Sequence, residues 1–122
     1  MTYTIPPPLT DRVIFTRIDF NDIPDVVVSE MYGGTGTVAT RSFMNGRGKA
    51  ILCTIHPGGS VGMHKHDVNK HISYVIAGKG VAICDDIIEP LTPGVCHICQ
   101  PGSQHSIQNA GTQDLVLVMT IV

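Results

Sequence analysis

Short apolar runs closed by glycine, proline, asparagine or aspartate set the pattern of this chain. Residues 12–20 (RVIFTRIDF), 37–44, 49–56, 71–77 (HISYVIA), 81–84 (VAIC), 87–91, 95–99, 106–109 and 115–122 are rich in β-branched and aromatic side chains. Such runs predict strands. Asn45-Gly46-Arg47-Gly48 between two of them signals a hairpin, because Asn-Gly tolerates the positive φ that both turn positions need. Pro57-Gly58-Gly59, Asp85-Asp86 and Pro93-Gly94 mark further turns, and Gly78-Lys79-Gly80 a bulge or bend. Turn signals recur about every 8–12 residues with no helical period, which indicates an antiparallel all-β sandwich or barrel.

Parity within a strand assigns faces. If His71 points inward, so do Ser73 and Val75, while Ile72, Tyr74 and Ile76 point outward. That outward apolar row needs cover, from a second subunit or from the N-terminal arm. In the last run, Leu115, Leu117, Met119 and Ile121 alternate with Val116, Val118, Thr120 and Val122, so both faces are apolar and burial on both sides is expected. Residues 1–10 carry Pro6, Pro7 and Pro8 and read as an extended arm that cannot enter a central strand. Residues 21–31 read as a short helical turn or an irregular segment, and 32–36 (YGGTG) as a loop.

Composition narrows the classes. A chain of 122 residues with 43% apolar and 15% charged residues is one domain with enough material for a core. The division expected is an N-terminal arm and edge strand over residues 1–30 and a β-barrel domain over 31–122. A net charge near −2 gives no electrostatic case for nucleic acid or an anionic membrane. No apolar run is long enough to span a membrane, and the N-terminus lacks the charged and apolar regions of a signal peptide, so a cytoplasmic location is expected. The four cysteines should then be reduced. Cys96 and Cys99 have no matching second pair for a structural zinc site and fall on opposite strand faces, so they read as small core or wall residues.

The histidines carry the candidate chemistry. His64 and His66 stand two apart, on one face of an extended strand and roughly 7 Å from each other, where both can reach one ion. The polar stretch Asp67–Lys70 turns the chain, and His71 opens a strand that is expected to return beside the first. His105, much later, is a fourth candidate. His56 and His97 read as packed side chains.

These positions follow a known pattern. Gly58, His64, His66 and Gly78 fall on the first signature of the cupin superfamily, G-x5-H-x-H-x4-E-x6-G, with His71 at the glutamate position. Gly94, Gly102, His105 and Asn109 fall on the second, G-x5-P-x-G-x2-H-x3-N, with Gln100 at the proline position and Pro101 following it. The chain therefore resembles a small single-domain cupin. The resemblance implies a double-stranded β-helix (jelly-roll) barrel, a homodimer, and a metal held by His64, His66 and His105. His71 either joins them, as in four-histidine cupins, or turns aside.

Neutral imidazoles add no charge, so a divalent ion held by four of them keeps its full charge and is a stronger Lewis acid than with a carboxylate ligand. Zn, Fe, Mn, Ni and Cu are all candidates. No acid or base is expected beside the ion. Ser73 and Val75 are the inward neighbours, Asp67 sits in the turn, Asp85, Asp86 and Glu89 read as solvent-facing, Tyr74 faces outward and Gln100 ends a strand. Three readings follow. The first is a metal-dependent oxygenase or isomerase acting on a small oxygenated organic molecule. The second is a non-catalytic metal and small-ligand binding or sensor module. A closed structural metal site is a third.

Overall fold

Alternation of inward apolar and outward polar side chains folds the chain into two facing antiparallel sheets. The computed structural model describes residues 17–45 and 48–122. Among them the strands are β1 (Val26–Ser29), β2 (Thr37–Asn45), β3 (Gly48–Ile55), β4 (Ser60–Lys65), β5 (His71–Ala77), β6 (Gly80–Cys84), β7 (Ile87–Leu91), β8 (Cys96–Cys99), β9 (Gln104–Asn109) and β10 (Leu115–Ile121). One sheet runs β1-β2-β3-β10-β5-β8 and the other β4-β9-β6-β7. The fold is an antiparallel all-β jelly roll. No helix among the described residues is long and apolar enough to cross a membrane.

The hairpin expected around Asn45-Gly46 is β2 and β3, paired from Val38↔Ile55 to Asn45↔Gly48. The parity assigned to β5 also holds. His71, Ser73 and Val75 are buried, while Tyr74 and Ile76 are about half exposed at 48% and 47%. On β10, Leu115, Leu117 and Met119 are buried, but Val116, Val118 and Thr120 on the opposite face are only half-buried. Among the described residues, then, one side of β10 is fully covered and the other in part.

Three expectations are corrected. The polyproline arm and most of the strand over 12–20 lie outside the described residues; the described end is not strand, since Phe20–Asp22 form a 3-10 turn capped by the Asp19 carboxylate, which accepts from Asn21 N at 2.9 Å. Second, of the helical turn or irregular segment expected over 21–31, the structure has the turn at Phe20–Asp22, but Val26–Ser29 form an edge strand against β2, because three consecutive valines favour extended backbone more strongly than Pro24 disfavours it. Third, β4 and β5 are not neighbours. β4 pairs with β9, and β5 lies between β10 and β8 in the other sheet. Residues 66–70 therefore cross between sheets, tied at one side by reciprocal Lys70–Val122 backbone hydrogen bonds of 2.8 and 3.0 Å.

Inward rows change character along the barrel. β5 reads His71, Ser73, Val75, and β9 reads His105, Ile107. Val38, Ile55, Val75, Leu91, Ile107, Leu115 and Leu117 form a dry core at one end, leaving the histidines at the other. The motif glycines Gly58, Gly78, Gly94 and Gly102 all hold positive φ, between 78° and 95°, which side chains with a Cβ resist. At Gly78 a Cβ would also stand 2.3 Å from the Asp114 carbonyl oxygen.

Candidate metal centre

His64 reaches the centre through a bulge. Val61 pairs with Ile107 and His64 with His105, so β4 spends one residue more than β9 over this step. Without it, residues three apart would face opposite ways; with it, Val61 and His64 both face inward. Gly62 in the bulge is required by close approach, since a Cβ there would lie 2.2 Å from the Tyr32 carbonyl oxygen and 2.6 Å from Gly34 N. The segment Met31–Gly33 is thereby pressed onto β4, and the Tyr32 ring stacks on His64 with centroids 4.3 Å apart and planes 17° from parallel. Tyr32 holds φ 51°, a left-handed conformation uncommon for an aromatic residue. Sequence reading missed this ring; its only signal was an aromatic opening a glycine-rich loop.

The four predicted histidines meet. One ring nitrogen from each of His64, His66, His71 and His105 lies within 4.8 Å of all the others. His71 Nδ1 faces His66 Nε2 at 3.0 Å and His105 Nε2 at 3.1 Å, and His105 Nε2 faces His64 Nε2 at 3.2 Å. His64 and His105 come from one sheet and His71 from the other, so the cluster bridges the barrel. It does not lie along a single hairpin.

Protonation follows from the partners. His64 Nδ1–H donates to the Gly62 carbonyl at 2.7 Å, which leaves a bare lone pair on its inward Nε2. Burial, then the neighbouring imidazoles, push His71 and His105 down to about 3. His66 is lowered too, by burial and then by His64 and Lys49. Neutral imidazoles are what a metal requires. The far nitrogen of His71, Nε2, is buried without a partner, so the ring depends on what its Nδ1 meets. Four imidazole nitrogens gathered within 4.8 Å of one another are a donor set that fits a divalent transition metal.

A cavity of about 430 Å³ opens onto His64, His66 and His71, walled by apolar residues including Val28, Ile51 and Met119 and by Lys49. Glu30 is the one carboxylate among its described lining residues, and it is exposed. Sequence reading also missed a pair behind the cluster. His97 is buried, but it is more than packing: its Nε2 lies 3.0 Å from His105 Nδ1 and its Nδ1 2.5 Å from Glu89 Oε1. Glu89, expected in solvent, has inward parity with buried Leu91 on β7 and pairs with the buried Ala82 position. That i, i+2 relation to Leu91 was the available signal. His56 stays outside the cluster, its Nδ1 2.8 Å from Thr37 Oγ1. Cys96 is exposed and Cys99 buried, as parity requires, and all four cysteines are free.

The family model described as Cupin domain matches residues 51–121. An oxalate-binding protein of Thermotoga maritima is 31% identical over 101 residues, covering 78% of this chain and 84% of that protein. Among solved structures, a Thermotoga maritima protein described as a predicted oxalate decarboxylase superposes with a TM-score of 0.83 at 27% identity, over 88% of this chain and 98% of that one. The Cnp3 cupin domain of Schizosaccharomyces pombe gives 0.72 at 13% identity, over 88% and 73% of the two chains; that likeness is one of fold alone.

Proposed function

The chain belongs to the cupin domain family, and from that premise we propose that His64, His66, His71 and His105 hold a divalent transition metal that binds a small dicarboxylate of the oxalate class. The observation that carries this reading is the convergence of four imidazole nitrogens, three of them on rings that line an open cavity. A structural site would be closed and dry. When bound, the ion supplies a full double positive charge and Lewis acidity at this floor.

The chain's own residues add the rest. Lys49 brings a second cation to the wall, close enough to His66 and His71 to lower their basicity. An ion and an ammonium group on one small cavity favour a compact dianion. Apolar walls lower the local dielectric and so strengthen both attractions. Tyr32, stacked on His64 at the rim, holds that ring in place. The names of the Thermotoga maritima relatives, oxalate-binding protein and predicted oxalate decarboxylase, agree with a dicarboxylate ligand. Among the described lining residues the one carboxylate, Glu30, is exposed, and this favours binding over proton-transfer catalysis.

Calorimetric titration of oxalate into the metal-loaded and metal-stripped chain tests the proposal. Binding is expected only with metal, at about one ligand per chain. Equal binding without metal, or none with it, would sink the reading. Release of carbon dioxide or formate from oxalate would make the site catalytic, and turnover of a diketone or sugar in its place would point to the oxygenase or isomerase reading.

The same reading takes the chain as a homodimer. Tyr74, Ile76 and Ile98 share the outer face of the six-stranded sheet at 48%, 47% and 48% exposure, with Val118 beside Tyr74. Light scattering should give twice the chain mass, and Ile76→Glu should halve it. A monomer at micromolar concentration would rule the dimer out.

A further inference from the structure

A line of three side chains leads from the metal centre to the surface, and its proton order can be worked out from the far end. It joins His105 on β9, His97 on β8 and Glu89 on β7, so it crosses from one sheet to the other and back. His97 is 1% exposed and His105 0%, whereas the Glu89 side chain is 41% exposed. The His97 and His105 rings lie nearly parallel, 23° apart with centroids 5.2 Å apart. A carboxylate only accepts, so His97 Nδ1 carries the hydrogen that Glu89 receives. Neutral His97 then has a lone pair at Nε2 and must accept there. Its partner at 3.0 Å, His105 Nδ1, must donate. That leaves His105 Nε2 bare, and this is the atom that faces His64 and His71.

We propose that Glu89 and His97 are positioning residues that lock His105 in the Nδ1–H tautomer and so keep its Nε2 lone pair aimed at the metal. This rests on the metal-binding reading above. Without the Glu89 carboxylate, His97 is free to take its other tautomer. Its Nε2–H then points at His105 Nδ1, which must accept, and the His105 hydrogen moves onto Nε2, the atom meant for the ion. Partners of this kind orient ligating histidines and raise their basicity, and losing one typically lowers metal affinity 10- to 100-fold. Here the effect passes through a second imidazole before reaching a carboxylate.

Long-range proton–nitrogen NMR of the full chain, metal-free and at pH 8, reads the tautomers directly. His105 is expected as Nδ1–H in the wild type and as a mixture in Glu89→Ala. Co(II) affinity, followed by its visible absorption against a competing chelator, should fall about 10- to 100-fold in Glu89→Ala. Glu89→Gln, whose amide oxygen still accepts from His97, should recover it to within about threefold. A purely structural role would lower thermal stability without moving the tautomer. An Nε2–H His105 in the wild type, as a charged His97 would impose, overturns the proposal. So does a Glu89→Ala chain with unchanged tautomer and Co(II) affinity. If the wild type binds no Co(II), the metal reading fails, and the wild-type tautomer still decides the relay on its own.

Discussion

Stripping the chain of metal and lowering the pH exposes the cost of gathering neutral imidazoles. Burial, and after it the neighbouring rings, push His71 and His105 down to about 3 in the folded chain, from an ordinary 6.5. Unfolded, both return to about 6.5. Below that value the unfolded chain takes up protons that the folded chain refuses until about pH 3. Stability is therefore complete above about pH 6.5 and declines as pH falls through the window down to about 3. At pH 5 each group has lost about 1.5 pH units at about 1.36 kcal/mol per unit, which is about 2 kcal/mol, and the two together about 4 kcal/mol. Solvent screening through the open cavity reduces this to about 3 kcal/mol. Against a typical total of about 5–15 kcal/mol, that loss is large. Urea unfolding of chelator-treated protein, followed by circular dichroism at pH 7.5, 6 and 5, measures it. His71→Gln should remove about half of the slope. A metal-free chain as stable at pH 5 as at pH 7.5, within about 0.5 kcal/mol, would refute the argument. The metal-loaded chain should lose more over the same interval, because binding itself requires neutral histidines.

Further outcomes follow from the same geometry. Leu117→Ala, at a fully buried core position, should cost about 2–5 kcal/mol in denaturant unfolding while leaving metal stoichiometry at one. Asn109 donates from Nδ2 to the Ile55 and Gln113 carbonyls and accepts from Gly111 N, each at 2.8 Å; Asn109→Ala should cost about 1–2 kcal/mol by thermal unfolding, as the carbonyl of buried Ile55 loses its bond. Gly62→Ala forces the Tyr32 carbonyl away and should cost about 1–3 kcal/mol while speeding Co(II) release by stopped flow. Lys49→Met should weaken oxalate binding to the loaded chain about tenfold, a change of about 1.4 kcal/mol, and flatten its salt dependence in calorimetry.

Strand and turn chemistry were legible because they are local. Asn-Gly carries its own backbone preference, and the two runs that flank it, β2 and β3, do pair. The parity of HISYVIA follows from strand geometry, and it places His71 inward and Tyr74 outward. Gly58 and Gly94 were readable in turns and Gly78 in a bulge or bend, and all three hold positive φ. The four histidines were legible as a set because they fall on two spaced patterns. What stayed hidden was pairing between distant segments. The chain gives no local reason for β4 to choose β9, forty residues on, over β5 nearby. The bulge at Gly62 and Met63 is equally silent, because its cause is the Tyr32 backbone pressing from another segment.

By itself, then, the sequence determined which residues extend, where the chain turns, which side chains share a face and which imidazoles are candidates for a metal. Those depend on backbone sterics and the two-residue period, which act between neighbours. Only the tertiary structure decided that His71 approaches from the opposite sheet, that Tyr32 stacks on His64, and that Glu89 stands behind His97 and His105. Those contacts join segments far apart in the chain, and burying the apolar rows of both sheets together is what brings them into register.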